Sequence, residues 1–421
     1  MLYHMYEAMR MAMGPWRLAA EFTKHSFQNP INPLSYTHLG KQAAAALDVF
    51  EHATRRYGKP VWEISKTTVD GSDVKVTEEL VLRKKFCNVV RFNRDFPGDL
   101  EDPKLLIVAP LSGHYATLLR GTVSALLPNH QVHITDWRDA RMVPVNDGSF
   151  DLDDYIDYII EFLHFLGPNT HVLAVCQPAV PVMASASIMA QMEDKCRPSS
   201  MTLIGGPIDT REGVTEVNKL AQCQPLEWFR KNVVVQVPPP YPGTARLVYP
   251  GFIQLTNFMA MNLDRHWSAH KEMFDHLMVG DDDSVEKKKD FYEEYRSVMD
   301  LTAEFYLQTV DVVFQKHSLP KGEMVSRWRP VKPEKITDIA TLCIEGELDD
   351  ISGVGQTRAA HAIMPNLPGS MKRYHLQKGT GHYGVFTGSK FRRDIAPLIR
   401  QFIQDFDRAD HGSPSLRVVG K

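Results

Sequence analysis

Three short segments of the 421-residue chain carry side chains whose types and spacing suit nucleophilic acyl transfer. The first reads His171-Val-Leu-Ala-Val-Cys176-Gln177-Pro178-Ala-Val-Pro181. An apolar β-type run leads straight into a cysteine, and a helix is expected to begin at once, as a nucleophile perched on a sharp strand-to-helix turn requires. Ala174 and Ala179 limit crowding at the turn. Pro178 suits the start of a helix, where its missing N–H is no loss, and a helix N-terminus favours an anionic sulfur. The common box for such a turn, Gly-x-Ser-x-Gly, is altered here at both glycines and at the serine. The second segment, Thr341-Leu-Cys-Ile-Glu-Gly346-Glu-Leu-Asp349-Asp350-Ile351, places an acid three residues beyond the glycine that ends an apolar run. Asp349 is the expected orienting acid, with Asp350 as the alternative. The third is Gly379-Thr-Gly381-His382-Tyr383-Gly384. Of 17 histidines, His382 alone sits in a glycine-flanked loop between the last expected strand and the terminal helix. In this scheme Cys176 attacks an acyl carbon, His382 takes and returns a proton, and Asp349 fixes the ring. Oxyanion donors are expected from the N–H of Gln177 and from the loop Pro110-Leu111-Ser112-Gly113-His114, with Ser112 preferred over Leu111. His114 and Trp137 are candidate substrate contacts, set against packing roles in the loop and at a strand end.

These residues can meet only if strands carry them to one edge. Strands are expected at 61–68, 86–92, 104–109, 131–136, 171–175, 200–204, 340–345 and 371–377, with amphipathic helices over 152–165, 180–192, 356–364 and 390–406. The alternation predicts a mostly parallel sheet of about eight strands covered on both faces, the α/β-hydrolase plan. Its nucleophile–acid–histidine order agrees. Between Thr210 and Pro330 the alternation stops. No clear strand is expected there, only aromatic-rich helices around 252–276 and 285–315, the second capped by Asp283 and Glu286. The expected organisation is an N-terminal helical extension at 1–57, a core at 58–210 and 331–408, a helical cap at 211–330 inserted after the sixth strand, and a flexible tail at 409–421. Aromatics of the cap, Trp228, Phe252 and Trp267 among them, suit an apolar cover over a water-insoluble substrate.

Composition excludes several classes. With 48 Lys+Arg against 51 Asp+Glu the formal net charge is −3, so no nucleic-acid partner is expected. No apolar run reaches the ~18–20 residues needed to span a bilayer. Glu7 and Arg10 interrupt the N-terminal apolar stretch, so a secretory signal is not expected. The five cysteines (87, 176, 196, 223 and 343) lack the spacing of a disulfide framework or a structural zinc site, and fit a reducing cytoplasm with no bound metal.

Beyond these readings, long segments resemble a known family, the intracellular poly(3-hydroxybutyrate) depolymerases of the type that uses cysteine. They include Met1-Leu-Tyr-His-Met-Tyr-Glu7, Ala109-Pro-Leu-Ser-Gly-His-Tyr-Ala-Thr-Leu-Leu-Arg120, Val175-Cys-Gln-Pro178, Leu203-Ile-Gly-Gly-Pro-Ile-Asp-Thr-Arg211, Ala303-Glu-Phe-Tyr-Leu-Gln-Thr309 and Gly379-Thr-Gly-His-Tyr-Gly-Val-Phe386. The resemblance implies a triad on Cys176, Asp349 and His382. It implies amorphous polyester granules as substrate and binding surface, 3-hydroxybutyrate oligomers or monomer as products, and no cofactor. Coenzyme A as an alternative acyl acceptor stays open. Competing readings are a polyester synthase-like acyltransferase, a general thiol esterase and a non-enzymatic granule-coating protein. Synthases set their cysteine in a Gly-x-Cys-x-Gly-Gly box, which Ala174 and Pro178 do not match.

Overall fold

The computed structural model describes residues 2–96, 101–261, 268, 271–277, 289 and 292–407. The expected cap at Asp283 and Glu286, Trp267 and the tail from 409 lie outside these residues. Apolar runs with no polar face for water become strands covered on both sides. β1 (Lys66–Val69) turns at Asp70-Gly71 into β2 (Ser72–Arg83), which returns as β3 (Cys87–Arg94). There follow β4 (Lys104–Val108), β5 (Gln131–Trp137), β6 (Thr170–Val175) and β7 (Ser200–Ile204). The insertion then contributes β8 (Val235–Gln236), β9 (Leu247–Tyr249), β10 (Leu301–Thr302) and the ribbon β11 (Val325–Ser326) and β12 (Arg329–Pro330). β13 (Ala340–Gly346) and β14 (Lys372–Gln377) complete the main sheet. Its order is β1-β2-β3-β5-β4-β6-β7-β13-β14, antiparallel as far as β5 and parallel from there to β14. Every residue of β6, β7 and β13 is buried. This mostly parallel sheet with its helices is an α/β-hydrolase fold.

The sheet has nine strands rather than eight, and the insertion follows the seventh. The strand absent from the sequence reading is Ser72–Arg83. Only Val74 and Val76 of it are fully buried, so its alternation fades into Thr77-Glu-Glu79. The stretch 61–68 becomes strand only from Lys66; Trp62 and Ile64 reach the core without pairing. The insertion also holds strands where none were expected. β10-β9-β8 form a small antiparallel sheet of two- and three-residue strands, too short for an alternation to be visible in the sequence. β10 breaks the expected 285–315 helix, which resumes as Ala303–Thr309. Of the helix expected over 356–364 only Ala360–Ile363 is regular.

Helix 152–166 starts in a capping box between Asp151 and Asp154 and stops at Gly167, whose φ of 78° suits a residue without a side chain. It packs on helix 179–191, whose residues from Ala179 to Met189 are all buried. There Ser185 and Ser187 donate to the carbonyls of Pro181 and Met183 four residues back, which makes hydroxyls tolerable in the core.

At the N-terminus, helix 2–28 packs on helix 38–54. Its root docks on the insertion. Tyr3 donates to Asp300 at 2.7 Å, and Tyr6 stacks on Phe252 at 3.9 Å between ring centroids. The outward face of the same helix is unusual. Met5, Ala8, Met9, Ala12, Pro15, Trp16, Ala19, Phe22, Thr23 and Ser26 are all exposed and fall on one stripe, and none is charged. Trp16 is 69% and Phe22 75% exposed.

Four buried histidines are held in the neutral form. Burial lowers His52, His114, His130 and His133 to about 4, with nearby cations contributing at His52, His130 and His133. Their unfolded value is 6.5, so between 6.5 and 4 the unfolded chain binds more protons, and stability falls as the pH drops through that window. Asp300, raised to about 7 by burial and by Asp139, and His382, raised by the charges of Asp349 and Cys176, act in the opposite sense. Four groups outweigh two. The melting temperature is therefore expected to be several degrees lower at pH 5 than at pH 7.5; calorimetry showing no decrease would contradict neutral rings in the fold.

Candidate active site

β6 ends at Val175, and Cys176 then adopts a φ of 68°, in the left-handed region that non-glycine residues seldom occupy. The turn is held from both sides. Cys176 N–H donates to Ile204 at 2.7 Å, and Ala179 N–H donates to the Cys176 carbonyl at 3.1 Å. Helix 179–191 then begins behind Pro178. Such a bend requires its neighbour to be small. A Cβ on Gly206 would lie 2.1 Å from the Cβ of Ala179 and 3.1 Å from the Cys176 carbonyl oxygen. Gly206→Ala is therefore expected to lower unfolding free energy by about 1–3 kcal/mol through overpacking, measurable by urea denaturation.

β13 runs to Gly346 and delivers Asp349 in the loop beyond it. Asp349 Oδ1 accepts the N–H groups of Ile351 at 2.9 Å and Ser352 at 2.8 Å, which fixes the carboxylate. Its Oδ2 lies 2.7 Å from Nδ1 of His382, which follows β14 in the Gly379–Gly384 loop. His382 is 6% exposed. Burial alone would lower its pKa, yet the charges of Asp349 and Cys176 and hydrogen bonds to both raise it well above the ordinary value. With Nδ1 on the carboxylate, Nε2 is the nitrogen left for the sulfur. Asp350, the alternative acid, is exposed, and it is Asp349 that holds the His382 ring. Gly205, with φ of 55°, lies under the pair; a Cβ there would sit 3.3 Å from His382 Cε1 and 3.4 Å from Asp349 Oδ2.

The loop after β4 opens level with this turn, since Val108 pairs with Ala174. Among the described residues, no backbone or side-chain oxygen accepts the N–H of Gln177, Leu111 or Ser112. Three donors are thus unspent near the nucleophile, and the geometry leaves Ser112 and Leu111 both available. Trp137 does not line the site. It is 1% exposed, packs on Phe150 and Tyr155, and donates its indole N–H to the Ala109 carbonyl at 2.8 Å. An indole at a parallel strand end finds its polar partner in the adjacent chain and anchors the root of the loop instead. His114 is also buried. Its Nε2 is 3.0 Å from the Tyr295 carbonyl, and its backbone bridges to Val298, so it clasps the loop to the insertion.

Glu345 was not among the sequence candidates. Fully buried in β13, it accepts N–H groups of Gly355, Thr357 and Arg358 and the Tyr374 hydroxyl, between 2.8 and 2.9 Å. It thereby shapes the loop that presents Asp349. Its only sequence signal was a carboxylate inside an apolar strand, which must be fully hydrogen-bonded to be buried. Among the described residues no group of three or more His, Cys, Asp or Glu side chains could hold a metal ion, and no helix is long and apolar enough to cross a membrane.

Residues 205–407 match the family model described as PHB de-polymerase C-terminus, PHB being poly(3-hydroxybutyrate). No curated protein matches the chain. Among solved structures, the chain is similar to 2-hydroxy-6-oxo-6-phenylhexa-2,4-dienoate hydrolase from Rhodococcus sp. strain RHA1, with 9% identity, a TM-score of 0.45, and coverage of 79% of this chain and 99% of that one. It is similar also to a thermophilic esterase from Thermogutta terrifontis, with 12% identity, a TM-score of 0.40, and coverage of 82% and 97%. A monoacylglycerol lipase from Paleococcus ferrophilus has 13% identity, a TM-score of 0.41, and coverage of 72% and 95%. Over residues 205–407, just under half of the chain, the sequence is thus similar to the PHB de-polymerase family, here carried on an α/β-hydrolase fold.

Proposed function

We propose that this protein hydrolyses ester bonds of amorphous poly(3-hydroxybutyrate) through an acyl-cysteine intermediate. The observation that carries the reading is the Asp349–His382 pair set against Cys176 at a left-handed strand-to-helix turn. The Cys176 sulfur, its proton taken by His382, attacks the ester carbonyl carbon and forms a C–S bond. The carbonyl electron pair moves onto oxygen, where the N–H groups of Gln177 and of Ser112 or Leu111 receive it. When the C–O bond breaks, His382 gives its proton to the departing alkoxide, which leaves as the hydroxyl end of the shortened chain. Water then attacks the thioester, losing a proton to His382. The acid is released and the sulfur is regenerated.

In this reading residues 58–210 and 331–407 form the catalytic core, 211–330 a cap, and 1–57 an extension. The uncharged stripe on helix 2–28 supports contact with an uncharged, water-insoluble granule surface in the cytoplasm. Cys87, Cys176, Cys196, Cys223 and Cys343 are all unpaired, which supports a reducing compartment. The chemistry needs no cofactor.

Mass spectrometry of products from amorphous granules tests the reading, with wild type and Cys176→Ala, each with and without coenzyme A. Release of 3-hydroxybutyrate and short oligomers by wild type without coenzyme A is expected, and none by the variant. Acyl-coenzyme A as the sole product would replace water by a thiol as acceptor. Equal release by the variant would leave a granule-coating protein. Labelling with iodoacetamide is best done in a Cys223→Ser background, because Cys223 is exposed; Cys176 is then expected to react faster than half-buried Cys196 and buried Cys87 and Cys343.

A further inference from the structure

Helix Gly251–Met261 of the insertion brings Gln254 against the loop after β4. Gln254 is 8% exposed. Its carboxamide fills the space that a side chain at position 113 would need: a Cβ there would lie 2.5 Å from Oε1, 2.6 Å from Cδ and 2.9 Å from Nε2. Gly113, with φ of 100°, carries no such atom. The loop is fastened to the insertion beside this contact, because the Gly113 carbonyl accepts Met299 N–H at 2.7 Å. Gln254 therefore lies on the segment that holds Leu111 and Ser112, at the edge where Cys176 emerges.

Gln254 Oε1 is buried and has no hydrogen-bond partner among the described residues, and the same holds for Gln177 Oε1, next to the nucleophile. Buried amide oxygens without donors are rare, because the lost hydration is not replaced. Both groups are acceptors, so what they lack is a donor. The interior of a polyester chain offers only ester oxygens, which are acceptors too. A hydroxyl-bearing acyl unit, at a chain end or in a short oligomer, offers an O–H. A site built around acceptors discriminates strongly for such a group, since the analogue without it leaves them unpaired.

We propose that Gln254 is a specificity-determining residue that accepts a hydrogen bond from the hydroxyl of a 3-hydroxyacyl unit, so that hydroxyl-ended chains and oligomers are preferred over esters lacking that hydroxyl. This rests on the ester-hydrolase reading with Cys176 as nucleophile. The test is the ratio of kcat/KM values for p-nitrophenyl 3-hydroxybutyrate against p-nitrophenyl butyrate and p-nitrophenyl 3-methoxybutyrate. Wild type is expected to favour the hydroxy ester by about tenfold over both, the range of one hydrogen bond. Gln254→Met removes the acceptor at similar volume and should bring both ratios to about one. Gln254→Glu keeps an acceptor and should keep the preference. If the Met variant does not fold, Gln254→Asn, one methylene too short to reach, carries the same expectation. A wild-type ratio near one, or a ratio unchanged in Gln254→Met or Gln254→Asn, overturns the proposal, including the case in which both rates fall by one factor. Failure of the underlying reading is separate: it would show as undiminished butyrate turnover by Cys176→Ala, whatever the ratios at Gln254.

Discussion

Cys176→Ala is expected to reduce release of 3-hydroxybutyrate from amorphous polymer by about 10⁴-fold or more, with folding intact. The alanine removes the only atom that the mechanism bonds to substrate. No neighbouring thiol can take its place. Cys87 and Cys343 are buried in strands, and burial pushes both thiols up, away from the reactive anion. The residue is half-buried at a turn held by backbone hydrogen bonds, and alanine keeps the Cβ there. Circular dichroism and the melting temperature should therefore change little while turnover vanishes. Residual activity within about tenfold of wild type would mean that acyl transfer proceeds elsewhere or without a covalent intermediate.

The second large effect is expected at His382. His382→Gln should lower kcat/KM by about 10³–10⁴-fold, because a carboxamide can accept the Asp349 geometry but cannot carry a proton between sulfur, leaving group and water. His375→Gln is the matched control. That ring lies on β14 and contacts Gln377 at 2.8 Å, so turnover should remain near wild type. Equal losses at both positions would indicate a folding defect. Stability offers an independent readout. The folded-state pKa of His382 is raised despite burial, through the charges of Asp349 and Cys176. Its contribution is fully present below the ordinary 6.5 and disappears as the pH climbs through the raised value. Wild type should exceed His382→Gln in melting temperature by more at pH 6 than at pH 10.

The segments around residues 176, 349 and 382 stand out in the sequence because each joins an expected strand to a turn residue; β6 and β13 are buried throughout, β14 only at Gln377. The structure brings their side chains to one edge. What stayed hidden depends on partners distant in sequence. Ser72–Arg83 buries too few residues to alternate clearly, and β8 to β10 are too short to show a period. From sequence Trp137 suits a packed strand end rather more than the site mouth, and the Ala109 carbonyl beside its indole decides for packing. Glu345 and Gly206 matter through a loop and a helix that only the folded chain brings near. Gln254 lay in a region read simply as aromatic-rich cap.

The bare flank of helix 2–28 also decides how the purified protein should behave at the bench. A molecule with so long an uncharged, oily stripe acts as an amphiphile. Dilute preparations should lose material to foam and plastic, sulfate salts should drive clumping early, and a trace of mild detergent should restore recovery.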